Sequence, residues 1–300
     1  MNATARLSAF AVAVAVVFGA AWAAGRLSGP VEPSAAAEQG TEQSAGQPGG
    51  HGQDAGHGQE DSHGPEGAHG GDAAAQSPAG LAMASGGYRM VAESTSVAAA
   101  TGFRFRIVDD AGAAVTGYDV EHDKLMHLIV VRRDGIHYQH LHPVLAADGT
   151  WSTPLSLTAA GSYRAFADFR PRGGERTTLG VDLDVPGDYR PASPPPSKAF
   201  DVDGYRVTLD ADGTALTATV IRNGQPVTDL QPYLGSYGHL VALRAGDLAF
   251  LHVHPDSTGT AGPQVRFTAE FPTAGRYRMF LDFQHGGVVR TAEFTLDVQS

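Results

Sequence analysis

The sequence predicts an all-β protein: two tandem immunoglobulin-like β-sandwich domains that follow an N-terminal transmembrane helix and a disordered His/Gly/Ala-rich tether. Three observations predict it. From Gly87 onward, short runs of Val, Leu, Phe, Tyr and Thr alternate with Gly, Asp and Pro clusters, and no stretch keeps a 3.6-residue apolar period. The same order of motifs occurs twice in that region. Ahead of it stand an apolar run and then a stretch almost without large apolar residues.

Residues 1–30 read as a signal anchor. Nineteen uncharged residues, Leu7 to Gly25, lie between Arg6 and Arg26. At about 1.5 Å per residue they can just cross a hydrocarbon core of about 30 Å. Ala21-Trp22-Ala23 also fits a signal-peptidase site, and cleavage there would release a secreted chain. Both routes put the bulk of the protein outside the cytoplasm; the first makes it a single-pass protein of the cell membrane.

Residues 31–85 read as a disordered acidic tether. Between Val31 and Ser85 there are eight acidic residues and no Lys or Arg. Such a segment cannot bury enough apolar surface to offset its ordering entropy. Histidine recurs in it every six residues, at His51, His57, His63 and His69, with an acid in each interval. This is either low-complexity drift or a weak scavenger of divalent cations, since imidazole and carboxylate are offered together.

The repeat occupies residues 86–187 and 200–300. Phe103 to Pro143 aligns on Ala215 to Pro255 without gaps at an offset of 112, and ten of the 41 positions are identical. GSYRAFADF at 161–169 is echoed by GRYRMFLDF at 275–283. About 100 residues per copy suit one small sandwich. Between the copies, residues 188–199 are Pro-rich and predict a semi-rigid spacer.

The chemistry of the chain lies in its histidines. Asp134-Gly135 between two apolar runs predicts a two-residue hairpin turn that pairs Arg133 with Ile136. Counting outward, His127 falls opposite His142, and His140 shares their face. In the second copy Gly246-Asp247 takes the turn, which puts His239 opposite His254 with His252 alongside. Opposed Cβ atoms are about 4.5–5.5 Å apart, a spacing that two imidazoles can close around one ion. One metal site per copy is therefore expected. His285 follows the last LDF run and has no histidine counterpart in the first copy, so it is a candidate fourth ligand there. Asp168 and Asp282 stand at matching positions and could either ligate or anchor a turn. His122, Met126 and His137 have no His or Met counterpart in the second copy. The competing reading of the repeated set is structural, each histidine holding a backbone carbonyl.

Composition removes several function classes. The net charge of −11 is concentrated in the tether, and the remainder is close to neutral, which excludes a basic face for nucleic acid. There is no cysteine, so thiolate copper centres, zinc ribbons and thiol redox chemistry are excluded. No GxxxxGK[ST] loop and no placed nucleophile–base pair is found, and no catalytic residue or organic cofactor is expected.

With EHDKLMHLIVVRRD, YQHLHP, ADGTW and YRAFADF in the first copy, and PYLGSYGHLVALRAGDLAFLHVHP and LDFQHGGVVRTAEF in the second, the chain resembles a group of actinobacterial membrane-anchored proteins of largely unassigned function. Each half is also similar to the small sandwiches of bacterial copper handling, of the YtkA and CopC type. That resemblance implies copper as a candidate metal, and histidine ligands suit zinc as well.

The expected function is therefore a non-enzymatic, extracytoplasmic metal-binding protein that buffers or delivers copper or zinc. Its expected partners are metal ions and a membrane metal transporter. Affinity should fall as pH drops through the ordinary histidine range near 6.5. Two alternatives stand beside it. One is a structural or adhesive module on a membrane stalk. The other is a copper enzyme, because Leu251-His252-Val253-His254 resembles strand ligands of copper–zinc superoxide dismutase, although that family's zinc loop and disulfide have no counterpart here.

Overall fold

The computed structural model describes residues 78–98, 100–251, 253–256 and 261–299. All of them belong to one compact unit, Gly70–Ser300. The expected membrane helix, the tether with His51, His57, His63 and His69, and His252 lie outside the described residues. Among the described residues there is no helix, and the architecture is the all-β one that the sequence predicts.

The first sandwich is built from β1 (Ala84–Ser85), β2 (Tyr88–Ala92), β3 (Ala100–Asp109), β4 (Tyr118–Asp119), β5 (His127–Arg132), β6 (Gln139–Leu141), β7 (Val144–Leu145), β8 (Thr150–Ser156), β9 (Gly161–Pro171) and β10 (Thr177–Val185). One sheet has the order β1-β2-β3-β8-β7, the other β10-β9-β5-β6 with β4 on β9. The second sandwich comprises β11 (Ala199–Val202), β12 (Tyr205–Asp212), β13 (Ala215–Arg222), β14 (Gln225–Pro226), β15 (His239–Arg244), β16 (Phe250–Leu251), β17 (Val253–Pro255), β18 (Gln264–Ala269), β19 (Gly275–His285) and β20 (Val288–Val298). Its sheets run β11-β12-β13-β18-β17, with β14 on β13, and β16-β15-β19-β20.

Strands with one wet face alternate as expected. In β12, Tyr205, Val207 and Leu209 are buried, while Arg206 and Asp210 are exposed. β5 does not alternate: all six residues are buried. Its Leu128 and Val130 enter the first core, with Phe105, Trp151 and Phe169. Its Ile129 and Val131 point the other way and join Val241, Leu243, Phe250 and Phe280 of the second sandwich. β15 divides in the same manner, with Leu240 and Ala242 in the second core and Val241 and Leu243 in this third cluster. The β5 and β15 sheets are thus each covered on both faces, and their outer faces meet. Tyr138 stacks on Phe280 with centroids 4.0 Å apart and planes 4° from parallel.

The turn after β5 differs from the expected one. Gly135 N–H donates to Arg132 O at 2.8 Å, and Arg132 N–H donates to Ile136 O at 2.9 Å, which leaves three residues in the loop. Gly135 takes φ 78°, which favours glycine. His137 at φ 55° absorbs the extra residue. The ladder then pairs Val130 with Gln139, Ile129 with His140 and Leu128 with Leu141. The turn is not the expected one, yet the register is the one that places His142 across from His127.

The Pro-rich segment is tied to the first sandwich. Arg132 donates to Arg190 O at 3.1 Å, and Ala192 N–H donates to Asp134 at 2.7 Å. Farther on, Ser197 and Thr295 exchange backbone hydrogen bonds in the second sandwich.

A histidine cluster at the seam as candidate metal centre

His127 opens β5 on the face shared by Ile129 and Val131, so it lies at one end of the apolar seam. Across the ladder to β9 it stands opposite Asp168, and in the second sandwich His239 stands opposite Asp282 in the same way. The repeat therefore brings a His/Asp pair from each copy to the seam. β6 carries His140 on the same face, and His142 follows at the point where the chain leaves for β7 in the other sheet.

His127, His140 and His142 come together: one ligand nitrogen of each lies within 4.8 Å of the others. Their ring centroids are 4.9, 5.1 and 5.3 Å apart. His239 adds a fourth ring, 5.9 Å from His127 and 6.1 Å from His140. His122 adds a fifth, 4.8 Å from His239. A cavity of about 30 Å³ lies among His122, His127, His140 and His239, with Asp168 and Arg176 also on its wall.

The hydrogen bonds fix which nitrogens carry protons. His127 Nε2 faces the Glu121 carbonyl at 3.0 Å, so it donates, and Nδ1 keeps its lone pair. His140 Nδ1 faces Asp282 Oδ2 at 2.7 Å, so it donates there, and Nε2 is turned toward His127. His127 Nδ1 and His140 Nε2 point at each other across 3.0 Å. A proton shared between them, or a metal cation taking its place, satisfies both nitrogens. His142 Nε2 is buried beside them without a hydrogen-bond partner. Asp282 accepts from Thr291 at 2.6 Å with its other oxygen, so carboxylate, imidazole and open nitrogen form the relay found behind metal-binding histidines.

Burial favours the neutral form of His127, His142 and His239. Desolvation, then the neighbouring His140, pushes His127 down to about 3, against a smaller upward pull from the Glu121 carbonyl. Desolvation followed by His140 and His127 takes His142 to about 3. His239 is lowered to about 4 by desolvation, while its bond to Leu234 O pulls it upward. Neutral imidazole is the form that binds metal.

Several expected ligands are placed elsewhere. His285 hydrogen-bonds Tyr205 through Nδ1 at 2.6 Å and Asp229 through Nε2 at 3.1 Å, so both its nitrogens are engaged away from the cluster. The β15–β16 ladder pairs Ala242 with Leu251 and Leu243 with Phe250. The chain then crosses to the other sheet, and His254 pairs with Thr268 of β18. The expected placement of His254 across one hairpin from His239 is corrected by that crossing. Asp168 is held by Arg176 at 2.6 Å and Thr178 at 2.9 Å. Met126 is buried in the first core, on the opposite face from His127. His122 was unmarked by the repeat because it sits in a turn between β4 and β5 where the copies have diverged.

The profile of a family described as a domain of unknown function (DUF8832) matches residues 84–187 and again residues 200–300. That match lends no support to the expected resemblance to copper-handling sandwiches. No curated protein matches the chain. Solved structures similar to it include domains 4 and 5 of the S-layer protein SbsC (10% identity, 71% of this chain and 98% of that one, TM-score 0.22), a marsupial T cell receptor (11%, 71% and 100%, 0.22) and the Ig1-2 module of the Drosophila receptor protein tyrosine phosphatase DLAR (7%, 71% and 99%, 0.20). Superpositions this loose carry no argument about function.

Proposed function

We propose, from the premise that this chain belongs to the DUF8832 family and carries its domain twice, that it is a non-catalytic protein holding a transition-metal ion at His127, His140 and His142. The observation that carries this reading is the close approach of His127 Nδ1 and His140 Nε2, 3.0 Å apart, beside the unpartnered Nε2 of His142. Three imidazoles backed by a carboxylate suit Cu(II) and Zn(II). An exported chain anchored in the membrane by its first 30 residues would buffer such an ion or exchange it with a membrane transporter. The tether histidines would raise the local ion concentration.

The test is metal titration of the full chain by calorimetry, with His127, His140 and His142 replaced together by Ala in the comparison protein. Wild type should bind Cu(II) or Zn(II) at a tight site that the variant lacks, leaving only weak uptake by the tether. Equal tight binding by both proteins would refute the assignment.

A second reading is favoured by the apolar seam and by the His140–Asp282 hydrogen bond across it. On that reading the cluster is a structural latch in a tandem scaffold. It predicts a melting temperature unmoved by either ion, whereas a ligand that binds only the folded state must raise it.

A further inference from the structure

The two copies do not surround two separate sites with the histidines described. His239 of the second sandwich stands beside the cluster of the first, and Asp282, its cross-strand neighbour, holds His140. We infer that His239 is the fourth ligand of the ion held by His127, His140 and His142, so that one ion clamps the two sandwiches together. This inference rests on the metal-binding reading above and adds the stoichiometry, the fourth ligand and the consequence for the seam.

Metal–nitrogen bonds of about 2.0–2.1 Å in a tetrahedron put the centroids of two ligating imidazoles about 5 Å apart. The three rings of the first sandwich already meet that spacing, at 4.9 to 5.3 Å. His239 is about 1 Å too far from His127 and His140, at 5.9 and 6.1 Å. Its Nε2 is oriented at Leu234 O, 3.2 Å away, so Nδ1 is the nitrogen left with a lone pair. The cavity of about 30 Å³ between the sandwiches has His122, His127, His140 and His239 on its wall, with His142 outside that lining, and has room for one ion. Binding would draw β15 toward β5 by about the missing distance. Each sandwich then supplies what the other lacks. The first gives three rings, and the second gives the closing ring and the carboxylate that orients His140.

The experiment uses the full chain with His51, His57, His63 and His69 replaced by Asn, so that only the folded part reports. Co(II) is the probe, because four-coordinate Co(II) absorbs far more strongly in the visible than six-coordinate Co(II). We expect one Co(II) per chain with intense bands. His239→Ala and His239→Gln should each shift those bands, as water or an amide replaces an imidazole, and bind at least about tenfold more weakly. The Gln variant retains an amide that can donate to Leu234 O, which separates ligand loss from local misfolding. Two equivalent ions per chain would overturn the clamp. So would binding that needs His127, His140 and His142 but keeps its spectrum and affinity in both His239 variants, and in that case the metal-binding reading survives. No binding by the parent chain would remove both.

Discussion

Burial does two things at once to His127. It strips the ring of water, which lowers its protonation to about 3, and it obliges both nitrogens to find partners within the protein. His142 and His239 are lowered too, to about 3 and about 4, again chiefly by burial. These groups bind fewer protons folded than unfolded at any pH between the folded values and the ordinary 6.5. Acidification across that window therefore favours the unfolded chain, and the stability they support is complete above about 6.5 and lost toward about 3. Urea midpoints of the metal-free chain should fall steadily from pH 7 to pH 4, and His142→Phe should flatten the slope. A flat wild-type profile would show that these rings are not held neutral. The same shifts move metal binding. The sequence alone predicts loss of affinity near 6.5, whereas proton competition at His127, His142 and His239 begins only near pH 4.

At the scale of the hairpin, Gly135 is the residue on which β5 and β6 turn. It sits at φ 78°, and a Cβ placed there would meet Arg278 Cγ of the second sandwich at 2.8 Å. Its carbonyl accepts from Arg278 Nε at 2.7 Å. Gly135→Ala should cost about 1–3 kcal/mol, read as a lower urea midpoint, because it combines left-handed backbone strain with a collision across the seam. An unchanged midpoint would mean that the loop relaxes freely and does not set the hairpin. The register of this hairpin was legible in the sequence, because strand residues alternate faces with period two and the His127–His142 count depends only on the net loop length. Its turn type was not. Asp134-Gly135 is a local signal, but the three-residue loop is held at the Gly135 carbonyl by Arg278, a contact 143 residues away that no local pattern encodes. His285 shows the reverse error: its position after LDF was legible, but the Tyr205 hydroxyl that engages it was not.

Across the whole molecule, the face-to-face meeting of the two sandwiches decides what the histidines can do. A trace of it is present in the sequence. HLIVVR and HLVALR are near-continuous apolar runs, as strands covered on both faces require, whereas alternation would mark a wet outer face. Read as tandem beads on a spacer, the copies predict two sites; read as a covered pair, they predict one shared seam. Phe280 tests which description governs stability. Its ring is wholly buried, stacks on Tyr138 at 4.0 Å and belongs to the inter-sandwich cluster rather than to either core. Phe280→Ala should cost about 3–5 kcal/mol and should split calorimetric unfolding into two transitions, one for each sandwich. Phe267→Ala, in the second core, should instead lower the stability of that sandwich while leaving the seam's own contacts in place. The seam variant should also bind metal more weakly than the core variant at temperatures where both remain folded, because only the seam holds His239 near His127. Equal metal affinity in the two variants would show that the sandwiches act independently at the site.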